Sequence, residues 1–461
     1  MNRWRWAFLL VLLAALPIWL SRSSHPSMMA DTDTVAILQG IEARQDPLSW
    51  FGGDWPLGNH FYRPITTLVF ELDNALHPGS AAGFGATNAL LAIACVIVLF
   101  WFLREFTDNV GMSAAASVLF AVWVAHPYLL GRPAEMLGVG IGAVALGVSL
   151  LPGRRPLLGL AGMFAAWYAA FEVGGLLQIR GGSLDWIPGR TATTMTIFAL
   201  AAMAAYARFE RLGAVRVQLA PTATDQPATK SSGVFVPPSR RSWVWAIVAI
   251  LGIALALGSY EQAVMLPACL FGLAVAFRMR GWKVRWGWQM AFWAVLLGYF
   301  LLRRAVLPPG TSGYQLQQYR SSWDVLYTVI DYLFPAGRNL LVVANQLDLG
   351  FASLMLTQTP NVGRILAHAI AYGTSIRRPL PLLNQTALTA YLLSAIAFLP
   401  MAWLKQFPSY NHYHFWSLSL RSLFAVAMIG LTAQLLKRAV TPRAIQAPPR
   451  LVPAPGSLPR R

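Results

Sequence analysis

Apolar runs of roughly twenty residues, each closed by a charged or Pro/Gly-rich stretch, recur along this chain and constrain its fold more than any other feature. Lipid offers backbone groups no water to bond, so such runs must be helices that satisfy their own peptide groups. With 461 residues, 56% of them hydrophobic and 12% charged, and a mean hydropathy of +0.51, the chain is too apolar for a soluble domain of that size. It reads as an all-α, polytopic integral membrane protein.

The formal charge of +18 raises nucleic acid as a partner, but the basic residues fall in short loops and the tail, with no interleaved aromatic and basic module. Nucleic-acid binding is therefore excluded. Cys95 and Cys269 each sit inside an apolar run and form neither a disulfide framework nor a metal-ligand spacing.

Arg3 and Arg5 precede the first run, Met1 to Leu20, which reads as an uncleaved span starting inside. Between Arg22 and Ser80 there are seven acidic residues against three Arg, the reverse of the whole-chain balance, which assigns this loop to the extracytoplasmic face. Within it, Val35 to Ala43 and Ile65 to Leu76 have helical apolar spacing, with Pro64 at a favoured helix start, and read as short interfacial helices. Further spans are expected near 81–103, 110–125, 136–151, 156–177, 191–206, 243–258, 265–277, 286–302, 349–372, 383–404 and 416–436. The total is about twelve crossings, in a range of 11 to 13. The chain thus divides into an N-terminal membrane group (1–207) with its first outer loop (21–80), a flexible cytoplasmic linker (208–241), a C-terminal membrane group (242–438) and a basic cytoplasmic tail (439–461).

On that topology the outer face gathers Asp31, Asp33, His60, Arg63, His126, Arg132, Glu135, Asp185, Glu261, Arg303, Arg304, His412 and His414 from separate loops. A carboxylate able to take a proton, with arginines and histidines able to hold an anion, suits group transfer from a phosphate-bearing lipid. A solvated loop carries such residues anyway.

These residues also carry a resemblance. Asp31-Thr32-Asp33 after the first span, Phe61-Tyr62-Arg63-Pro64-Ile65-Thr66-Thr67-Leu68 with Asp73, and Thr87-Asn88 opening the next span resemble the first luminal loop of C-type (GT-C) glycosyltransferases. The likeness is to bacterial relatives of the transmembrane and tetratricopeptide-repeat O-mannosyltransferases. Ala125-His126-Pro127, Gly131-Arg132-Pro133-Ala134-Glu135, Tyr260-Glu261-Gln262-Ala263 and His412-Tyr413-His414 are similar to later motifs of that group, in the same order. The repeat array of those relatives has no counterpart after Arg438 in this sequence.

The resemblance implies a GT-C-like fold in a bacterial inner membrane, with the active site facing outside. It implies an inverting transferase that takes a sugar from a polyprenyl-phosphate donor to a protein, glycan or lipid hydroxyl, with a loop-1 aspartate as base. Asp33 and Asp31 match that aspartate, Asp33 the favoured one; residues two apart do not share one direction, so one of them enters the pocket. The other is expected to cap the helix that begins near Thr34. Substrate binding is expected from His60, Tyr62, Arg63, His126, Arg132, Glu135, Glu261, Arg303, Arg304, His412, Tyr413 and His414. Blander roles stand beside these. Glu135 and Glu261 would simply pair with a nearby Arg, and Arg303-Arg304 would anchor at headgroups. His412-Tyr413-His414 would suit a divalent metal, yet no acidic companion is adjacent, so neither a metal ligand nor a cofactor is assigned. Membrane lipid is the remaining expected partner, through the linker and tail. Rival readings are a flippase or transporter for a lipid-linked anion, and a catalytically inactive assembly partner.

Overall fold

The computed structural model describes residues 3–44, 46–127, 129–174, 184–218, 240–319, 382–404 and 411–442, with Val325 and Val329. Among these residues the chain is helical and has no strand. In order, the helices are α1 (Arg3–Leu20), α2 (Ser27–Ala30), α3 (Thr32–Ala43), α4 (Pro64–Leu76), α5 (Ala81–Thr107), α6 (Val110–Ala125), α7 (Gly131–Ser149) and α8 (Pro156–Gly174). There follow α9 (Arg190–Gln218), α10 (Arg240–Leu257), α11 (Leu266–Met279), α12 (Gly287–Val306), α13 (Gly313–Gln318), α14 (Leu382–Phe398) and α15 (Asn411–Val440).

Seven of the described helices are long and apolar enough to cross a membrane: α1, α5, α8 and α15, together with α9, α11 and α14 when their adjoining turns are included. α6 and α10 are shorter apolar helices. These are the helices of an integral membrane protein. The expected crossing at 349–372 lies outside the described residues, as do residues 219–239 of the expected linker and 443–461 of the expected tail.

Three boundaries differ from expectation. α7 begins at Gly131, so Arg132 and Glu135, expected in an irregular connector, lie in its first turns. α9 runs to Gln218, well past Tyr206, so the segment assigned to a linker from Arg208 begins as helix. Arg208 and Arg211 explain that continuation: they pair with Glu105 and Asp108 at the end of α5, which neutralises the polar turns of α9. α15 likewise continues to Val440, where its carbonyl accepts from Arg154 Nη1.

The helices alternate in direction, which sorts charge between two ends. Arg211 bonds the Arg104 carbonyl, Arg280 that of Phe106 and Arg285 that of Phe209, so the ends of α5, α9 and α11 and the start of α12 meet at one basic end. At the other end the first loop is tied down. The Ile65 N–H donates to the Gly258 carbonyl at 2.9 Å and Thr66 Oγ1 to the Ser259 carbonyl at 2.8 Å.

Lipid gives no hydrophobic drive between helices, so close packing through small residues must hold them. At Gly85 a Cβ would strike the Ser23 carbonyl, and at Gly138 it would strike the Ala170 side chain, which is how α5 seats the start of the first loop and α7 seats α8. Two ion pairs are buried inside the bundle. Arg190 Nη1 donates to Asp73 Oδ2 at 2.6 Å and its Nε to Asn88 Oδ1 at 3.1 Å, while Thr87 Oγ1 donates to Asp73 Oδ1 at 2.6 Å. This network locks α4, α5 and α9 together under the first loop. Deeper in the bundle, Arg421 of α15 holds Glu172 of α8 through two bonds of 2.7 and 2.5 Å, with neither side chain exposed.

Removing one partner of a buried pair strands the other charge, at a cost of about 3–5 kcal/mol. Arg190→Ala, which strands Asp73, and Asp73→Asn, which strands Arg190, are therefore each expected to lower the unfolding temperature in detergent far more than Asp108→Asn, which removes only an exposed partner of Arg211; an equal effect of Asp108→Asn would contradict the account. Sidedness is tested by cysteine labelling, because native Cys95 and Cys269 are buried. An impermeant maleimide should label Thr32→Cys from outside intact cells and Arg278→Cys only after permeabilisation, and the opposite pattern would invert the topology.

Candidate functional site

The loop between α3 and α4 is folded around one carboxylate. Asp54 accepts from the backbone N–H groups of Trp55 (2.9 Å), His60 (2.6 Å) and Phe61 (2.9 Å). Those bonds hold His60 in the left-handed region at φ 62°, a conformation costly for a residue with a Cβ, next to Gly58 at φ 61°. The tight loop that results presents Trp55 and Phe61 on either side of Arg63. The guanidinium carbon lies 4.3 Å from each of those ring centres and 4.7 Å from that of Tyr260.

Arg63 meets Glu261 edge on, with Nη2–Oε2 at 2.6 Å and Nε–Oε2 at 2.9 Å. Its Nη1 makes no hydrogen bond to a described residue. Glu261 thus does take an arginine partner, but one 198 positions away rather than a sequence neighbour. The pair fastens the first loop to the turn that opens α11.

The two aspartates of Asp31-Thr32-Asp33 separate in role. Asp31 is the N-cap of α3: its Oδ2 accepts from Thr34 N at 3.1 Å and Thr34 Oγ1 at 3.2 Å, and also from Trp186 Nε1 at 3.1 Å. Asp33, in the first turn of that helix, lines a cleft instead. Burial, and secondarily the neighbouring Asp31 charge, raises its pKa above the ordinary carboxylate value.

The cleft holds about 600 Å³ of space, its open mouth included. Asp33 and Arg63 are its charged groups among the described residues, and Trp55, Phe61, Trp186, Tyr260, Tyr314, Tyr319 and Tyr413 supply aromatic walls. Asn59, Gln315 and Gln318 add amide groups, and His412 adds an imidazole. The Trp186 ring packs against His412 at a tilt of 44° with centres 4.6 Å apart, so the partner of Asp31 also contacts the start of α15. Chemically, the cleft joins a half-buried carboxylate to flat apolar faces and to amides with both donors and acceptors.

Of the residues expected to bind substrate, Arg63, His412 and Tyr413 line the cleft, and Glu261 lies behind Arg63. The others do not line it. Tyr62 is buried, its hydroxyl donating to the Phe51 carbonyl at 3.1 Å. The His60 carbonyl accepts from Arg303 Nη2 at 3.2 Å and from Gln315 Nε2 at 3.1 Å, so His60 and Arg303 brace the wall from behind. His414 is buried against Phe398. Arg304 is exposed at the end of α12, and His126, Arg132 and Glu135 belong to the junction of α6 and α7.

Sequence reading missed most of the aromatic wall. Trp55 and Trp186 sit in acidic loop segments, and Tyr314 and Tyr319 in a loop read only as a connection; a count of aromatics at loop positions would have flagged them, but no spacing pattern would have. Among the described residues no group of three or more His, Cys, Asp or Glu could hold a metal ion. No family model, curated protein or solved structure matches the chain.

A carboxylate with a raised folded-state pKa binds protons more tightly folded than unfolded. The stability linked to Asp33 is therefore present at low pH and is lost as pH rises through the raised value. Asp33→Asn should raise the unfolding temperature at neutral pH and not at pH 4. Asp31→Ala, which removes the cap, should lower it at neutral pH by the equivalent of about 1 kcal/mol. Thermal unfolding from pH 4 to 8 checks both; destabilisation by Asp33→Asn at neutral pH would contradict the assignment.

Proposed function

We propose that the protein is a GT-C-like membrane glycosyltransferase. It moves a sugar from a polyprenyl-phosphate donor to an acceptor hydroxyl at the cleft, with inversion and with Asp33 as general base. The observation that carries this reading is the position of Asp33 on an aromatic cleft at the end of the bundle away from the basic loops, with its neighbour Asp31 committed to capping α3.

A sugar ring offers C–H bonds to aromatic faces and hydroxyls to amides, and the cleft supplies both. Asp33 would accept the proton of the acceptor hydroxyl as that oxygen bonds to the anomeric carbon. The bond from that carbon to the phosphate oxygen breaks, and polyprenyl phosphate leaves with the electron pair. One displacement needs one base and no second carboxylate as nucleophile. A raised pKa suits this base, since it brings proton affinity nearer the operating pH.

For the phosphate, Arg63 is the guanidinium at hand. Glu261 uses its Nε–Nη2 edge and leaves Nη1 to a phosphate oxygen, while also fixing the plane of the group. Arg132, Arg303 and Arg304, which the resemblance offered for this task, do not line the cleft. The transporter reading gains nothing from the charges within the spans. Glu172 and Arg421 are fully buried and spent on each other, whereas an ion pathway places such groups on a water-filled cavity.

Asp33→Asn should lower transfer at least ~100-fold while leaving donor binding within a few-fold, because the amide keeps its shape and cannot take the proton. Asp31→Asn retains a capping oxygen and should lose far less activity. It should also move the acidic limb of the pH–rate profile to lower pH by removing one charge beside Asp33. Transfer assays on vesicles carrying the variants test this; full activity in Asp33→Asn would refute the base and leave an inactive partner or a transporter as the reading.

A further inference from the structure

A second cavity lies at the basic end, lined by Trp4, Arg104, Glu105, Arg208, Arg211 and Leu212 and enclosing about 500 Å³, its open mouth included. It is separated from the aromatic cleft by the length of α5 and α9, whose far ends build it. Two carboxylates set two of its three guanidinium groups. Glu105, 1% exposed, accepts from Arg208 Nη1 at 2.8 Å and lies 3.7 Å from Arg211, whose Nη2 donates to Asp108 at 2.6 Å. Arg104 has no carboxylate partner among the described residues and stands 5.1 Å over the ring centre of Trp4. Arg208 Nε is buried and makes no hydrogen bond to a described residue.

We infer that this cavity binds the phosphodiester headgroup of an anionic phospholipid. The charge balance favours an anion: the lining guanidinium groups of Arg104, Arg208 and Arg211 face one lining carboxylate, Glu105, and a phosphodiester reduces that positive excess. Arg104 supplies donors in the fork geometry that phosphate oxygens accept. Trp4 marks the headgroup level, where indoles are enriched. The hydrocarbon side is also present. Leu9, Leu10, Leu13 and Leu16 of α1 are exposed along the helix that leads away from Trp4, a surface on which acyl chains lie and for which free phosphate has no use. The lipid would bridge α1, otherwise the least enclosed of the long apolar helices, to the paired ends of α5 and α9.

The test uses the full chain purified in an uncharged detergent and titrated with phosphatidylglycerol, phosphatidylcholine or inorganic phosphate, with bound lipid counted by native mass spectrometry. Phosphatidylglycerol should be retained at least fivefold better than phosphatidylcholine, and phosphate at millimolar concentration should not displace it. Arg104→Gln, at an exposed position with no ion pair to lose, should weaken retention about fivefold. Trp4→Leu should weaken it as well, and Lys437→Gln, an exposed charge elsewhere at the same end, should not. Equal retention of the two lipids, displacement by phosphate, or an equal loss in Arg104→Gln and Lys437→Gln would overturn the site, the last by reducing it to diffuse surface charge. None of these outcomes bears on transfer at the aromatic cleft.

Discussion

The geometry of the cleft depends on Arg63 meeting Glu261. One residue comes from the first loop and the other from the turn before α11, and their two-point contact, reinforced by backbone bonds from Ile65 and Thr66 to Gly258 and Ser259, turns a long polar loop into a wall of the bundle. A guanidinium packed among Trp55, Phe61 and Tyr260 is largely desolvated, a cost that only a well-aligned carboxylate offsets. The same contact orients the arginine that lines the cleft among the described residues. The structural pair and the anion-binding edge are two sides of a single guanidinium.

Charge elsewhere follows the same logic of neutralisation before burial. Arg190 with Asp73 and Arg421 with Glu172 are enclosed, each guanidinium also lying against aromatic rings, and each ties together helices far apart in sequence. Asp33 departs from that logic: it is half-buried, next to a like charge, and no described cation pairs with it. A carboxylate kept in that state is thermodynamically unfavourable, and such groups concentrate where chemistry requires them.

Much of the helical framework was legible because lipid enforces it. α6 begins and ends where its apolar run does, and Pro64 opens α4 as its preference for a first helical turn predicts. That one of the two aspartates would cap this helix was legible too, from acidic residues placed at its start, and the structure gives that role to Asp31. What could not be read were contacts over long separations. Glu172 and Arg421 are 249 residues apart and each looks like a stray charge in an apolar run. The aromatic wall draws on the first loop, the turn before α9, the segment around α13 and the start of α15, so no periodicity in any one stretch announces it. The reach of α9 beyond Tyr206 was hidden for the same reason, since the carboxylates that neutralise its arginines sit at the end of α5.

The central claim is that Asp33 faces a lipid-borne sugar in this cleft. It is tested most directly by an experimental structure of the full chain in a lipid disc, with a non-transferable polyprenyl-phosphonate sugar bound. The account predicts the sugar ring against the aromatic wall, its anomeric carbon on the Asp33 side and a phosphonate oxygen at Arg63 Nη1. A sugar bound elsewhere on the protein, or a cleft that stays empty at saturating analogue, would contradict it.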